Sequence, residues 1–187
     1  MKKIVLALAA FSAFGAMALA TTIDTSKFES SFEGFKTMEK VGVTGTFKDA
    51  KYTFGKDESS IKGQLTGAKA IFDPMSVEME ASAINLNMKN AFFGTFHKKE
   101  KIEVVFEKVT EGDKKGAITA KVKMNGRHTL VPLEYEIEDG KIEAKGVLDL
   151  NSFHLDKSLK SLTKAAAGHK GLTWSQVEIK FEAPIKE

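Results

Sequence analysis

Four histidines, His97, His128, His154 and His169, are the side chains whose type suits metal ligation or proton transfer near neutral pH. No two of them lie within 14 positions of each other, so none of the short spacings that mark a zinc site occurs, and they read as separate surface or loop residues. The chain has no Cys. A thiolate nucleophile, a disulfide and a lipid-modified Cys are therefore excluded. No G-x-S-x-G elbow or phosphate-binding glycine loop is present, and "GVTGTF" (42–47) lacks both the glycine spacing and the following helix that such a loop needs. The carboxylates alternate with lysines, as on wetted strand faces, and form no recognisable acid/base pair. These features predict a protein that is not an enzyme and carries no metal or cofactor.

The chemistry that the sequence does concentrate is apolar. It has 14 Phe against 2 Tyr and 1 Trp, and "AFFGTF" (91–96) places Phe92, Phe93 and Phe96 within five residues. More Phe recur at 28, 32, 35, 47, 54, 72, 106, 153 and 181. Such residues fill a core or surround a greasy ligand, and the elements that carry them decide which.

Those elements are mainly strands. In "AITAKVKM" (117–124) Ile118, Ala120, Val122 and Met124 share one face and Thr119, Lys121 and Lys123 the other. "NGRH" (125–128) supplies a turn, and "TLVPLEYEIE" sets Leu133, Tyr135 and Ile137 against Glu134, Glu136 and Glu138. Asp139-Gly140 is a strong hairpin signal, and "KIEAKGVLDL" completes a three-strand meander. Strand patterns also run through 41–47, 60–72, 76–86, 101–109 and the closing "WSQVEIKFEAPI" (174–185). With "SKFESSFEGF" (26–35) the total is about eight. Two stretches read as helical, 86–96 and 153–168, the second with Gly168 as its C-cap. Pro74, Pro132 and Pro184 are expected at run edges or bulges.

The predicted class is all-β, about eight short antiparallel strands in a sandwich or barrel with one or two short helices, and a soluble barrel is favoured. An outer-membrane barrel needs aromatic girdles of Trp and Tyr, which this composition lacks. A closed eight-stranded barrel lies between a filled interior and one that holds a small ligand. Alternation alone leaves both open.

The N-terminus places Lys2 and Lys3 before an apolar run and an A-x-A site at Ala18, Leu19 and Ala20, which predicts a cleaved signal peptide over residues 1–20. Residues 21–187 form one expected domain, without a linker-like stretch. The whole chain carries 28 Lys+Arg against 25 Asp+Glu, and loss of Lys2 and Lys3 leaves a nearly neutral product. Neither its charge nor any basic cluster interleaved with aromatics favours nucleic acid. The expected location is the periplasm, with no membrane span after cleavage.

The order of these features resembles the YceI-like family of exported lipid-binding proteins. "TIDTSKFESSFEGF" is similar to that family's opening strand, and "VGVTGTFKD" to its V-x-G-x-F segment. "NAFFGTFHKKEKIEVVFEKV" resembles its helix with paired Phe leading into a strand. "AKVKMNGRHTLVPLEYEIE" resembles its central hairpin, "GVLDLNSFHLDKSLKSL" its late strand and loop, and "LTWSQVEIKFEA" its closing strand. Asn87, Met88, Lys89 and Asn90 replace the family's R-D-x-H-L signature, and Asn151-Ser152 replaces its late D-R.

The resemblance implies an extended eight-stranded antiparallel lipocalin-like β-barrel with an apolar tunnel, acting as a periplasmic carrier for a long-chain amphiphile such as a polyisoprenoid, an isoprenoid quinone or a fatty amide or acid. Face and resemblance together assign the lining to Phe92, Phe93, Phe96, Val104, Phe106, Ile118, Val122, Met124, Leu133, Leu148, Phe153 and Phe181. The departures imply a different headgroup preference if those polar positions hold the head. The family also implies pairing into a homodimer as an option. The alternative is a filled barrel that serves as an interaction module of the cell envelope.

Overall fold

Asn125 and Gly126 take φ of 51° and 76°, and Asp139 and Gly140 take 50° and 73°. Two successive left-handed residues make the tight turn whose twist matches that of paired strands. These turns join β8 (Lys115–Met124), β9 (Arg127–Glu138) and β10 (Lys141–Asp149) into the expected meander. Arg127 and His128 already belong to β9, so the first turn is shorter than the "NGRH" reading.

The computed structural model describes residues 21–186. The expected signal peptide at 1–20 lies outside them. The remaining strands are β1 (Thr22–Ile23), β2 (Glu29–Lys36), β3 (Val41–Phe47), β4 (Lys51–Thr53), β5 (Lys69–Phe72), β6 (Val77–Met79), β7 (Ile102–Thr110) and β11 (Thr173–Lys186). All join one antiparallel sheet in the order β4-β5-β7-β8-β9-β10-β11-β2-β3-β6, with β1 added to β11.

The class is all-β and barrel-like, but the strands among the described residues number eleven rather than eight. Eight of them span four residues or more, and β1, β4 and β6 have only two or three residues. Such short pieces cannot display an alternation. The curled sheet also keeps two edges, β4 and β6, with no ladder between them. It is a half-barrel, closed along that seam by side chains.

Among the described residues three α-helices interrupt the strands: α1 (Ile61–Leu65), α2 (Ser82–Asn87) and α3 (Asp156–Ala165). The expected strands at 60–72 and 76–86 are therefore each half helix. Ile61 and Leu65, four apart, suit either period, and Ser60 decides for helix by accepting from Gly63 N at 3.0 Å. α2 runs on through a π-helical turn (Met88–Phe92) and a 3-10 turn (Phe93–Thr95), so the helical stretch expected at 86–96 begins four residues earlier. α3 stops at an extended Ala166, and Gly168 is not its cap. Gly168 sits inside a separate one-turn helix, Ala167–His169. Pro132 lies within β9, beyond the last β9–β10 pair at Glu134.

Two apolar clusters plug the half-barrel. One gathers Ile23, Ile61, Leu65, Ile118, Tyr135, Ile142 and Ala183 under β1 and α1, and the other Phe92, Phe93, Phe96, Phe153, Leu155 and Leu159 under the remaining helices. Buried Gln64 pins the first plug: its Oε1 accepts from Ile23 N at 2.6 Å and its Nε2 donates to Ile23 O at 3.0 Å. Gln64→Leu would strand both backbone groups of an almost fully buried residue. A loss of about 2 kcal/mol in denaturant-measured stability is expected, and a loss near zero would mean that water replaces the amide there.

Candidate functional site

The ladder registers place Ser30, Phe32, Gly34 and Lys36 of β2, preceded at the same parity by Phe28, on the face shared by Val43 and Phe47 of β3 and by Val177, Ile179 and Phe181 of β11. Side chains of that inward face should be fully buried if the interior were filled. From Ser30 onward, β2 is only half-buried throughout, and β11 changes from buried at Phe181 to half-buried at Ile179 and Val177. A Cβ built on Gly34 would meet no atom within 4 Å. The space between these strands and the opposite wall is a cavity of about 370 Å³, within the usual range for small-molecule sites.

Its wall is mostly aromatic and aliphatic. Phe28 stacks on Phe181 with centroids 4.9 Å apart and meets Tyr52 edge-on at 5.0 Å. Phe47 bridges Phe32 at 5.5 Å and Phe72 at 5.1 Å. The Phe28–Tyr52 and Phe47–Phe72 contacts cross the seam between the sheet edges, as does the 2.7 Å hydrogen bond between Ser30 Oγ and Tyr52 OH. Burial raises the Tyr52 phenol above its usual pKa, opposed by the Ser30 bond, so it stays neutral at physiological pH. Met79 and Met88 add flexible thioethers to the wall.

Of the expected lining residues, Phe92, Phe93, Val104, Phe106, Val122, Met124, Leu133, Leu148 and Phe181 reach the cavity. Phe96, Ile118 and Phe153 do not. They are buried in the two plugs, Ile118 opposite Val109 and Leu133. Residues that sequence reasoning did not assign to the wall include Phe28, Phe32, Gly34, Val177 and Ile179, together with the polar positions Lys36, His169 and Thr173. The inward parity of Phe28, Phe32 and Lys36 was readable; which strands border empty space was not.

His169 is the only one of the four histidines on the wall; the other three are exposed. Its Nδ1 lies 2.6 Å from Thr173 Oγ1, which lies 2.7 Å from Thr163 Oγ1. Burial, assisted by nearby Lys36, holds the imidazole below the usual histidine range, so it is neutral at neutral pH. Among the described residues no group of three or more His, Asp or Glu comes together as a metal site. The arrangement can enclose an apolar chain and hold one polar end.

A model of the YceI-like domain matches residues 21–184. The chain belongs to the YceI-like family. Solved structures with the same fold include a polyisoprenoid binding domain from Saccharophagus degradans implicated in plant cell wall breakdown, at 16% identity and a TM-score of 0.58, covering 90% of this chain and 98% of that one. Burkholderia cenocepacia BcnA is similar at 17% identity and a TM-score of 0.58, covering 88% and 99%. The Campylobacter jejuni YceI protein matches at 20% identity and a TM-score of 0.54, covering 81% and 90%. No curated protein shows significant sequence similarity to the chain. No helix among the described residues of this YceI-like protein is long and apolar enough to cross a membrane.

Proposed function

We propose that this YceI-like protein is a non-catalytic periplasmic carrier that holds the tail of a long-chain amphiphile in the half-barrel cavity. The observation that carries this reading is the open space at Gly34, walled by Phe28, Phe32, Phe47, Val177 and Ile179. A filled interaction module has no use for such a wall. The relative from Saccharophagus degradans, a polyisoprenoid binding domain, lends support from within the same fold.

The energetics suit the role. Each enclosed methylene contributes about 0.8 kcal/mol, so ten carbons contribute about 8 kcal/mol before the ordering costs of binding, the scale of micromolar affinity. An extra methylene changes the balance by only about 1 to 3 kcal/mol, so discrimination between tails is modest.

The test is native mass spectrometry of protein expressed with its leader, followed by solvent extraction and lipid mass spectrometry. One long-chain species per chain is expected. A bare mass that persists after incubation with polyprenols, quinones and fatty amides would move the assignment to a filled interaction module.

A further inference from the structure

The cavity wall is uneven in charge. It includes Lys36, Lys69, Lys180 and His169, and among the described residues no aspartate or glutamate. Lys69 is neutralised by Glu103 at 2.5 Å, and Lys180 by Glu143 and Glu182 at 2.5 and 2.8 Å. Among the described residues, no carboxylate forms an ion pair with Lys36.

Lys36 is also aimed. It follows Phe32 and Gly34 on the inward face of β2, and its Cα partners are Thr173 of β11 and Val41 of β3. Two bonds fix the β2–β3 turn beside the α3–β11 connection that carries His169. Thr37 N donates to Leu172 O at 3.2 Å, and Trp174 Nε1 donates to Thr37 O at 2.8 Å. The Thr163–Thr173–His169 chain engages Nδ1 of the imidazole and leaves the opposite ring edge for a ligand. A half-buried lysine without a counter-ion, at one end of an acid-free apolar cavity, gains most from an anion delivered with the tail.

We propose that Lys36, seated beside His169 and Thr173, forms a headgroup subsite that selects amphiphiles with an anionic head, a carboxylate or phosphate monoester, over neutral heads on the same chain. The proposal rests on the reading that the cavity holds a lipid tail. The tail then runs from Lys36 past Val177 and Ile179 towards the Phe28–Phe181 stack.

Matched pairs test it: geranylgeranyl phosphate against geranylgeraniol, and oleate against oleyl alcohol, titrated into delipidated protein. The wild type should bind each anion about tenfold tighter than its alcohol, the scale of one charge-assisted hydrogen bond near water. Lys36→Met keeps the aliphatic stem and removes the charge. It should erase the preference while leaving the alcohols within about twofold, and Lys36→Arg should restore it. Equal wild-type binding of anion and alcohol overturns the subsite and leaves the carrier reading standing, as does a Met variant that weakens all four ligands alike. Absence of binding by all four removes both. Should Lys36→Met fail to fold, the wild-type ratios alone decide.

Discussion

Replacing Gly34 by Phe is expected to leave the protein folded and to weaken binding of a long-chain amphiphile by about two orders of magnitude. The backbone admits the change: Gly34 is in an extended strand outside the left-handed φ region, and its Cβ would meet nothing within 4 Å. An aromatic residue suits a strand better than glycine does. The new ring would enter the cavity between Val43 and Val177, its cross-strand partners, and would exclude about four methylenes of tail. At about 0.8 kcal/mol each that is roughly 3 kcal/mol, or more than a hundredfold in Kd. The checks are a thermal melt and a titration with a polyprenol or fatty acid. A folded variant that binds with unchanged affinity would show that the tail does not lie along β2, and a variant that unfolds would show that the space is not free.

This test differs from placing a charge on the opposite wall. Val122→Asp would also abolish binding, but Val122 is almost fully buried and packs in the same cluster as Phe96 and Phe153. An unpaired carboxylate there removes the fold together with the site. Gly34 separates the two because it borders space and not side chains.

The meander from Lys115 to Asp149 was legible because nine- to twelve-residue strands repeat an alternation many times and Asn-Gly and Asp-Gly fix the turns. The segment from Ser60 to Phe72 was not. Five helical residues make barely more than one turn, and Ile61, Gly63 and Leu65 satisfy a two-residue period as well as Ile61 and Leu65 satisfy a helical one. The short edge strand β4 was invisible for a similar reason, β6 was merged into the longer strand expected at 76–86, and the seam that Ser30, Tyr52, Phe47 and Phe72 close stayed hidden with them.

The cavity was legible only in part. Alternation identifies the inward face of a strand, and seven expected strand residues of that face do line the space, beside Phe92 and Phe93 of the helical turns. It says nothing about how far an inward side chain stands from the opposite wall. Ile118 and Val122 alternate identically in β8, yet Ile118 packs under the α1 plug while Val122 borders the cavity. Position along the barrel axis, which no local pattern encodes, makes the difference. Lys36 was hidden by a stronger bias, since a strand lysine ordinarily belongs to the wet face.

Phe153→Ala carries the distinction between plug and wall to a measurable conclusion. Phe153 is fully buried, belongs to the cluster under α3, and lies in the turn Leu150–Phe153 whose last carbonyl accepts from Asn125 Nδ2 at 2.9 Å. It does not reach the cavity. Truncation would leave a sealed void in a close-packed region, and a loss of about 3 to 5 kcal/mol is expected. For a domain of this size that lowers the melting midpoint by roughly 10 °C. Lipid affinity, measured well below the midpoint, should stay within about twofold. Phe32→Ala should behave in the opposite way: its ring is only half-buried and already borders open space, so the stability loss is smaller and the change in binding larger. Denaturant unfolding and ligand titration on both variants decide the matter. A Phe153→Ala protein of wild-type stability and impaired binding would place Phe153 on the path of the tail, whereas the expected pair of results divides the Phe-rich interior into residues that hold the half-barrel together and residues that face its ligand.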